Sequence, residues 1–214
     1  SLMLIYKEKE IAIKESTTGI ELARSINLND PNQAIIMLVN GSPKDLSTTI
    51  SPEDKVEILD FSTPLGKEVF WHSSAHVLAQ AIVRLYPEAI PTIGPPIENG
   101  FYYDFDNLDI SDKDFPKIEK EIKKILKENH KPQRCEIPTK EEALEKFGSN
   151  PFKKELINEF PNDAEISSYT QGEFTDLCRG PHLHSLGKIK AFKILKTSAA
   201  YWRGDNSQKM LTRV

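Results

Sequence analysis

Over the first sixty residues, apolar and polar side chains alternate with the period of two that a half-buried strand requires. Met3-Leu4-Ile5-Tyr6 and Ile11-Ala12-Ile13 flank the charged Lys7-Glu8-Lys9-Glu10, a pattern that predicts a hairpin. Thr18-x-x-Glu21 has capping-box spacing and opens a short helix carrying Ile20, Leu22, Ala23 and Ile26. Ala34 to Val39, the Asn40-Gly41 turn and Val56 to Phe61 add further strands. Together they predict one compact sheet with the helix laid across it. Ser62-Thr63-Pro64-Leu65-Gly66 has the composition of a domain boundary.

Beyond it the period changes to that of a helix. Trp71, Ala75, Leu78, Ala79, Ile82 and Leu85 form the apolar stripe of a long helix over about residues 67–86, which Pro87 ends. Ile93-Gly94-Pro95-Pro96-Ile97 and Asn99-Gly100 are turn chemistry leading into a strand at Phe101–Phe105. Ile118, Ile122, Ile125 and Leu126 predict a second amphipathic helix from about Phe115 to Asn129. Thr139-x-x-Glu142, and Asn150 followed by Pro151, cap two shorter helices. Strands near Ile166–Tyr169 and Phe174–Leu177 meet at Gln171-Gly172. The fold class is therefore α+β: a small β-grasp (ubiquitin-like) domain over residues 1–62, followed by a larger α+β domain.

Composition narrows the class. With 214 residues, 38% hydrophobic and 28% charged, the chain reads as a globular protein of one large or two small domains. No apolar run reaches the roughly 18 residues of a membrane span and no signal peptide is visible, so the cytoplasm is the expected location. Two cysteines give no disulfide framework. The net charge of −4 lies in residues 1–60, with six Lys/Arg against ten Asp/Glu. Residues 188–214 instead carry seven basic side chains against Asp205 alone, a candidate footprint for a phosphate backbone.

Two windows concentrate the chemistry. His72-Ser-Ser-Ala-His76 and Cys178-Arg-Gly-Pro-His182, about a hundred residues apart, hold four of the chain's seven His and Cys residues. His72 and His76 are four apart on a predicted helix and share a face at the rim of the core. Ser73 stands where a metalloprotease helix has its glutamate, which removes the general base of that reading. Alone, the pair reads as half-buried histidines satisfied by backbone carbonyls. Gly180-Pro181 forms a turn that presents Cys178 and His182 at a strand end, and His184 competes with His182 for that position. His130 and Cys135 read as structural. One Cys with three His is a tetrahedral ligand set for zinc. The metal-free alternative uses neutral histidines, with pKa near roughly 6.5, to hold and deprotonate a water.

At these residues the chain resembles a family. The His72-x-x-x-His76 helix, Ile93-Gly-Pro-Pro-Ile-Glu-Asn-Gly-Phe-Tyr-Tyr-Asp104 and Asp176-Leu-Cys-Arg-Gly-Pro-His182 are similar to the editing domain of bacterial-type threonyl-tRNA synthetases. Tyr201-Trp-Arg-Gly-Asp205 with Lys209-Met-Leu211 resembles the segment joining that domain to the aminoacylation core, and the head resembles the family's TGS domain. The resemblance implies a TGS domain over 1–62, an editing domain over 63–199 and the start of the joining segment over 200–214. It implies a fragment that cannot aminoacylate, ATP and zinc belonging to a catalytic core absent here. The fragment is expected to be a monomer and the parent enzyme a homodimer through that core.

The resemblance further implies hydrolysis of serine mischarged on threonine tRNA, with no membrane partner and no cofactor in the fragment. His72, His76, Cys178 and His182 would line the site, with Lys153 stabilising the oxyanion, Asp176 anchoring the substrate ammonium and Tyr103 as a wall or hydroxyl donor. Read without the family, these last three are a surface lysine, a strand-end carboxylate and a core tyrosine. Two other functions compete: a zinc-dependent aminoacyl-tRNA hydrolase of the alanyl type, with zinc on His72, His76, Cys178 and His182, and a non-catalytic RNA-binding module.

Overall fold

The first hairpin closes on two residues rather than four. Lys7 and Glu8 both take positive φ (46° and 70°), the twist that suits a two-residue hairpin turn, while Lys9 and Glu10 belong to the second strand. In this computed structural model, which describes residues 2–26 and 33–214, the pair is β1 (Leu2–Tyr6) and β2 (Lys9–Ile13). Helix α1 (Gly19–Ser25) starts at Thr18 with both hydrogen bonds of a capping box formed. Strands β3 (Ile36–Val39) and β4 (Ser42–Lys44) turn at Asn40-Gly41, and β5 (Val56–Leu59) pairs antiparallel with β3.

The single sheet expected of the head is two sheets among the described residues, β1-β2 and β4-β3-β5. A side chain joins them in place of a ladder: the Ile58 N–H donates to the Tyr6 hydroxyl at 3.1 Å. Leu4, Tyr6, Ile13, Leu22, Met37 and Leu46 share one core beneath both sheets and α1.

Helix α2 (Pro64–Leu85) begins a few residues before its predicted start, because Thr63 caps it by accepting the Gly66 N–H and Pro64 occupies the first turn. Then come β6 (Ile90–Pro91), β7 (Pro96–Ile97), β8 (Gly100–Phe101), β9 (Asp104–Asp106), α3 (Phe115–Glu128), β10 (Gln133–Ile137), α4 (Lys140–Phe147) and α5 (Pro151–Asn158). Strands β11 (Ile166–Gln171), β12 (Phe174–Leu177), β13 (Ser198–Tyr201) and β14 (Met210–Arg213) complete the chain. The expected strand at Phe101–Phe105 is broken. Its start pairs with β7, while β9 joins a sheet of order β13-β14-β9-β6. Tyr103, buried at the break, exchanges backbone bonds with Val214.

Helices and strands thus mix in several small sheets, as an α+β class requires. Helix α2 is central. Its predicted stripe is buried at Ala75, Leu78, Ala79 and Ile82, but so are Ser73, Ser74, His76 and Gln80. The head explains part of this, since Ile35, Ile36 and Leu59 join the same core as α2 and α3. Antiparallel β10-β11-β12 carries the chain to Cys178. No helix among the described residues is long and apolar enough to cross a membrane.

Candidate active site

The two histidine windows meet. His72 Nε2 lies 2.8 Å from Cys178 Sγ, which lies 3.0 Å from His182 Nε2. The three imidazole rings pack against one another at tilted angles, with centroids 4.5–5.0 Å apart. Helical spacing delivers His72 and His76, and the end of β12 delivers the thiol. Ser73 bolts the two pieces together: its hydroxyl is 3.0 Å from His182 Nδ1 and accepts the Leu183 N–H at 3.1 Å. The distances accommodate one chain of protons, from the Ser73 hydroxyl to His182 Nδ1, from His182 Nε2 to sulfur, and from the thiol to His72 Nε2. The His72 ring is also hydrogen-bonded to the Gly94 backbone.

Burial dominates the proton affinities. It lowers the pKa of His72 and sends those of His76 and His182 well below the usual value of 6.5, neighbouring cations and imidazoles adding to the last two. Burial also pushes the Cys178 thiol up to about 12. At neutral pH the cluster therefore holds neutral imidazoles around a protonated thiol.

A second group lies beside the first. Asp176 accepts from Lys153 Nζ at 2.8 Å, from the Tyr103 hydroxyl at 2.6 Å and from the Leu177 N–H at 2.8 Å, and faces His76 Nε2 at 3.4 Å. Lys153 also donates to the Thr92 carbonyl at 2.5 Å. It sits in the first turn of α5, where Asn150 accepts its backbone N–H, and is only 4% exposed. It is therefore not the surface lysine that composition alone allowed. Charge neutralisation between Lys153 and Asp176 is what makes a buried ammonium and a buried carboxylate tolerable.

A cleft of about 460 Å³ opens onto both groups, with Leu65, His72, His76, Tyr103, Lys153 and Cys178 among its walls. His182 lies behind Cys178, 1% exposed. His184 is half-buried and outside the cluster, so the structure brings in His182 of the two. Cys135 is exposed on β10 and outside the cluster. Ser73, Thr92, Asp45 and Tyr169 also support the site. Ser73 alone had a signal in the sequence, being next to His72 on one helix.

Zinc is the metal that this donor set suits, and the four donor atoms lie within 4.8 Å of one another. His76 Nδ1 is buried without a hydrogen-bond partner, which leaves a nitrogen available for coordination. The 2.8 and 3.0 Å contacts to sulfur are closer than the ~3.5 Å between ligands around a tetrahedral zinc. The residues fit the ion in kind, while their spacing is that of a hydrogen-bonded cluster.

Residues 166–214 match the family model described as the threonyl and alanyl tRNA synthetase second additional domain. That span contains Asp176, Cys178 and His182. The relatives are threonine–tRNA ligases. The chain is 57% identical to that of Protochlamydia amoebophila over 198 residues, which cover 92% of this chain and 30% of the relative. It is 52% identical over 207 residues to that of Chlamydia pneumoniae, covering 97% of this chain and 32% of the relative. The Caldanaerobacter subterraneus protein is 45% identical over 204 residues, 94% of this chain and 32% of the relative. The chain thus spans about a third of the length of the curated threonine–tRNA ligases that it matches.

Proposed function

We propose that this chain is the proofreading part of a threonine–tRNA ligase, hydrolysing the ester of serine mischarged on threonine tRNA in the cytoplasm. The convergence of His72, His76, Cys178 and His182 beside one small cleft, in a chain similar to these ligases, carries the reading. The chemistry needs such a device. Threonine exceeds serine by one methyl, a difference worth only about 1–3 kcal/mol to a binding pocket.

His72 is the least buried of the three imidazoles, and its Nε2 holds the attacking water once the Cys178 thiol turns from it toward the ribose. As the water oxygen bonds to the ester carbonyl carbon, its proton passes to the neutral ring, which burial keeps ready to accept it. The carbonyl oxygen becomes an oxyanion, stabilised by the Lys153 charge. When the tetrahedral intermediate collapses, the ester bond to the ribose oxygen breaks and that oxygen takes the proton back. Asp176 anchors the serine ammonium from the oxygen that faces His76, and Tyr103 holds that carboxylate in place. Cys178, backed by His182, orients the terminal ribose.

Single-turnover deacylation of seryl- and threonyl-tRNA tests this. Wild type is expected to cleave the seryl ester and spare the threonyl ester, and His72→Ala and His182→Ala to lose the reaction. Wild-type rates in both variants would sink the site. Intact esters with wild type would leave only an RNA-binding module.

The ligand cluster favours a second reading, a zinc-dependent hydrolase. Zinc held by three of His72, His76, Cys178 and His182, with one position left for water, would supply a water acidified toward neutral pH. Metal analysis of protein purified without chelator decides between them. Our reading expects substoichiometric zinc and a rate unchanged by chelator dialysis; stoichiometric zinc with loss of activity on dialysis would transfer the function to the metal.

A further inference from the structure

The cluster is completed by a residue from the N-terminal head. Asp45 follows β4, more than a hundred positions before the turn it reaches. Its Oδ1 accepts the backbone N–H of His182 at 2.7 Å, and its Oδ2 accepts the Tyr169 hydroxyl at 2.7 Å. The Tyr169 ring backs the His182 imidazole at 4.3 Å between centroids. Arg134 donates to the same hydroxyl at 3.3 Å and also to the Arg179 carbonyl. One carboxylate thus holds both the backbone of His182 and the ring behind it, while Arg134 ties down the intervening turn.

Asp45 does not line the cleft that holds His72 and Lys153, so it acts on the site from behind. We propose that Asp45 of the head is a positioning residue for hydrolysis, fixing the Cys178–His182 turn against α2 so that docking of the head and activity of the site are coupled. This rests on the proofreading reading for its rate effects, and on the hydrogen bonds alone for its structural part. Ser73 holds the same turn from the opposite side, through His182 Nδ1 and the Leu183 N–H. The turn is therefore clamped between a serine of α2 and an aspartate of another unit of the chain.

The test uses the full chain with Asp45→Ala and Asp45→Asn. Asparagine keeps an acceptor for the His182 N–H and offers its amide to the Tyr169 hydroxyl, so geometry survives while the charge goes. A displacement of about 1 Å costs on the order of 100-fold, so Asp45→Ala is expected to lose about that in kcat on seryl-tRNA, with KM held within about threefold. Asp45→Asn is expected to restore most of the rate. Amide hydrogen exchange at His182 should accelerate in Asp45→Ala and stay slow in Asp45→Asn. Unchanged exchange in Asp45→Ala overturns the strut whatever the protein hydrolyses. A wild-type kcat in Asp45→Ala, a loss confined to KM, or an equal loss in Asp45→Asn overturns the positioning role. Failure of wild type to cleave seryl-tRNA counts against the proofreading reading, and the exchange experiment still decides the strut.

Discussion

Burial is the largest influence on His72, His76, His182 and Cys178, and it moves the imidazoles and the thiol in opposite directions. Both movements favour neutral groups, the protonation state in which an imidazole accepts a proton and a thiol donates a hydrogen bond. The lowered histidines make the fold sensitive to acid, whereas the raised thiol makes it sensitive to alkali. A histidine with a lowered folded pKa binds fewer protons in the native state than in the unfolded one. From the three histidines, stability is therefore independent of pH above roughly 6.5 and falls as pH drops below it. Each histidine held neutral removes about 1.4 kcal/mol per pH unit in that window. Urea unfolding at stepped pH should show the midpoint falling from pH 6.5 downward, and His76→Gln should flatten the slope. An unchanged slope in that variant would show that His76 is not held neutral.

At the scale of elements, α2 and the turn after β12 carry the site. The helix was legible because 3.6-residue periodicity and a capping threonine are local properties. Its burial was not, since Ser73 and Gln80 are polar and find their partners on distant segments, while Ser74 turns back to the Phe70 carbonyl of its own helix. Gln80, for example, bonds to Gln171 at the end of β11 and to Glu173 in the turn before β12. The turn depends on Gly180, which combines φ of +72° with the Tyr169 ring lying where a Cβ would stand. Gly180→Ala is expected to destabilise the protein by about 1–3 kcal/mol and to slow deacylation by displacing Cys178. Denaturation midpoints and single-turnover rates check this; a variant as stable and as fast as wild type would show that the turn has no such constraint. The bland reading of His72 and His76, as a pair satisfied by carbonyls, holds only for the contact of His72 with the Gly94 backbone. Cys178 and Asp176 face their Nε2 atoms, from a strand a hundred residues away.

Across the whole molecule, the basic stretch at 188–214 looks different once folded. Arg203 pairs with Glu159, Lys209 with Asp106 and Arg213 with Asp104, while Lys188 donates to the Ala34 carbonyl. Three of the seven charges that suggested an RNA footprint are therefore paired with carboxylates of the chain itself. Lys193 and Lys196 remain exposed and are the better candidates for phosphate contacts. Reversing both to glutamate should weaken tRNA binding and reduce the slope of log affinity against log salt by about 1–2. Binding isotherms at several salt concentrations read this directly, and an unchanged slope would place the RNA elsewhere. The head is no separate bead: Ile35, Ile36 and Leu59 enter the larger core, and Asp45 reaches the site.

The sequence by itself determined what depends on neighbours a few residues apart: the capped helices, the Asn40-Gly41 hairpin, the α+β class, and the two windows in which imidazoles and a thiol are concentrated. Only the tertiary structure decided what depends on long-range approach. It took His182 rather than His184 into the cluster, buried Lys153 against Asp176, split the head into two sheets, and brought Asp45 behind the Cys178–His182 turn. The physical reason is range. Caps, turns and periodicity are short-range energies written in adjacent residues, whereas burial and the pairing of charges depend on segments that come together only when the chain folds.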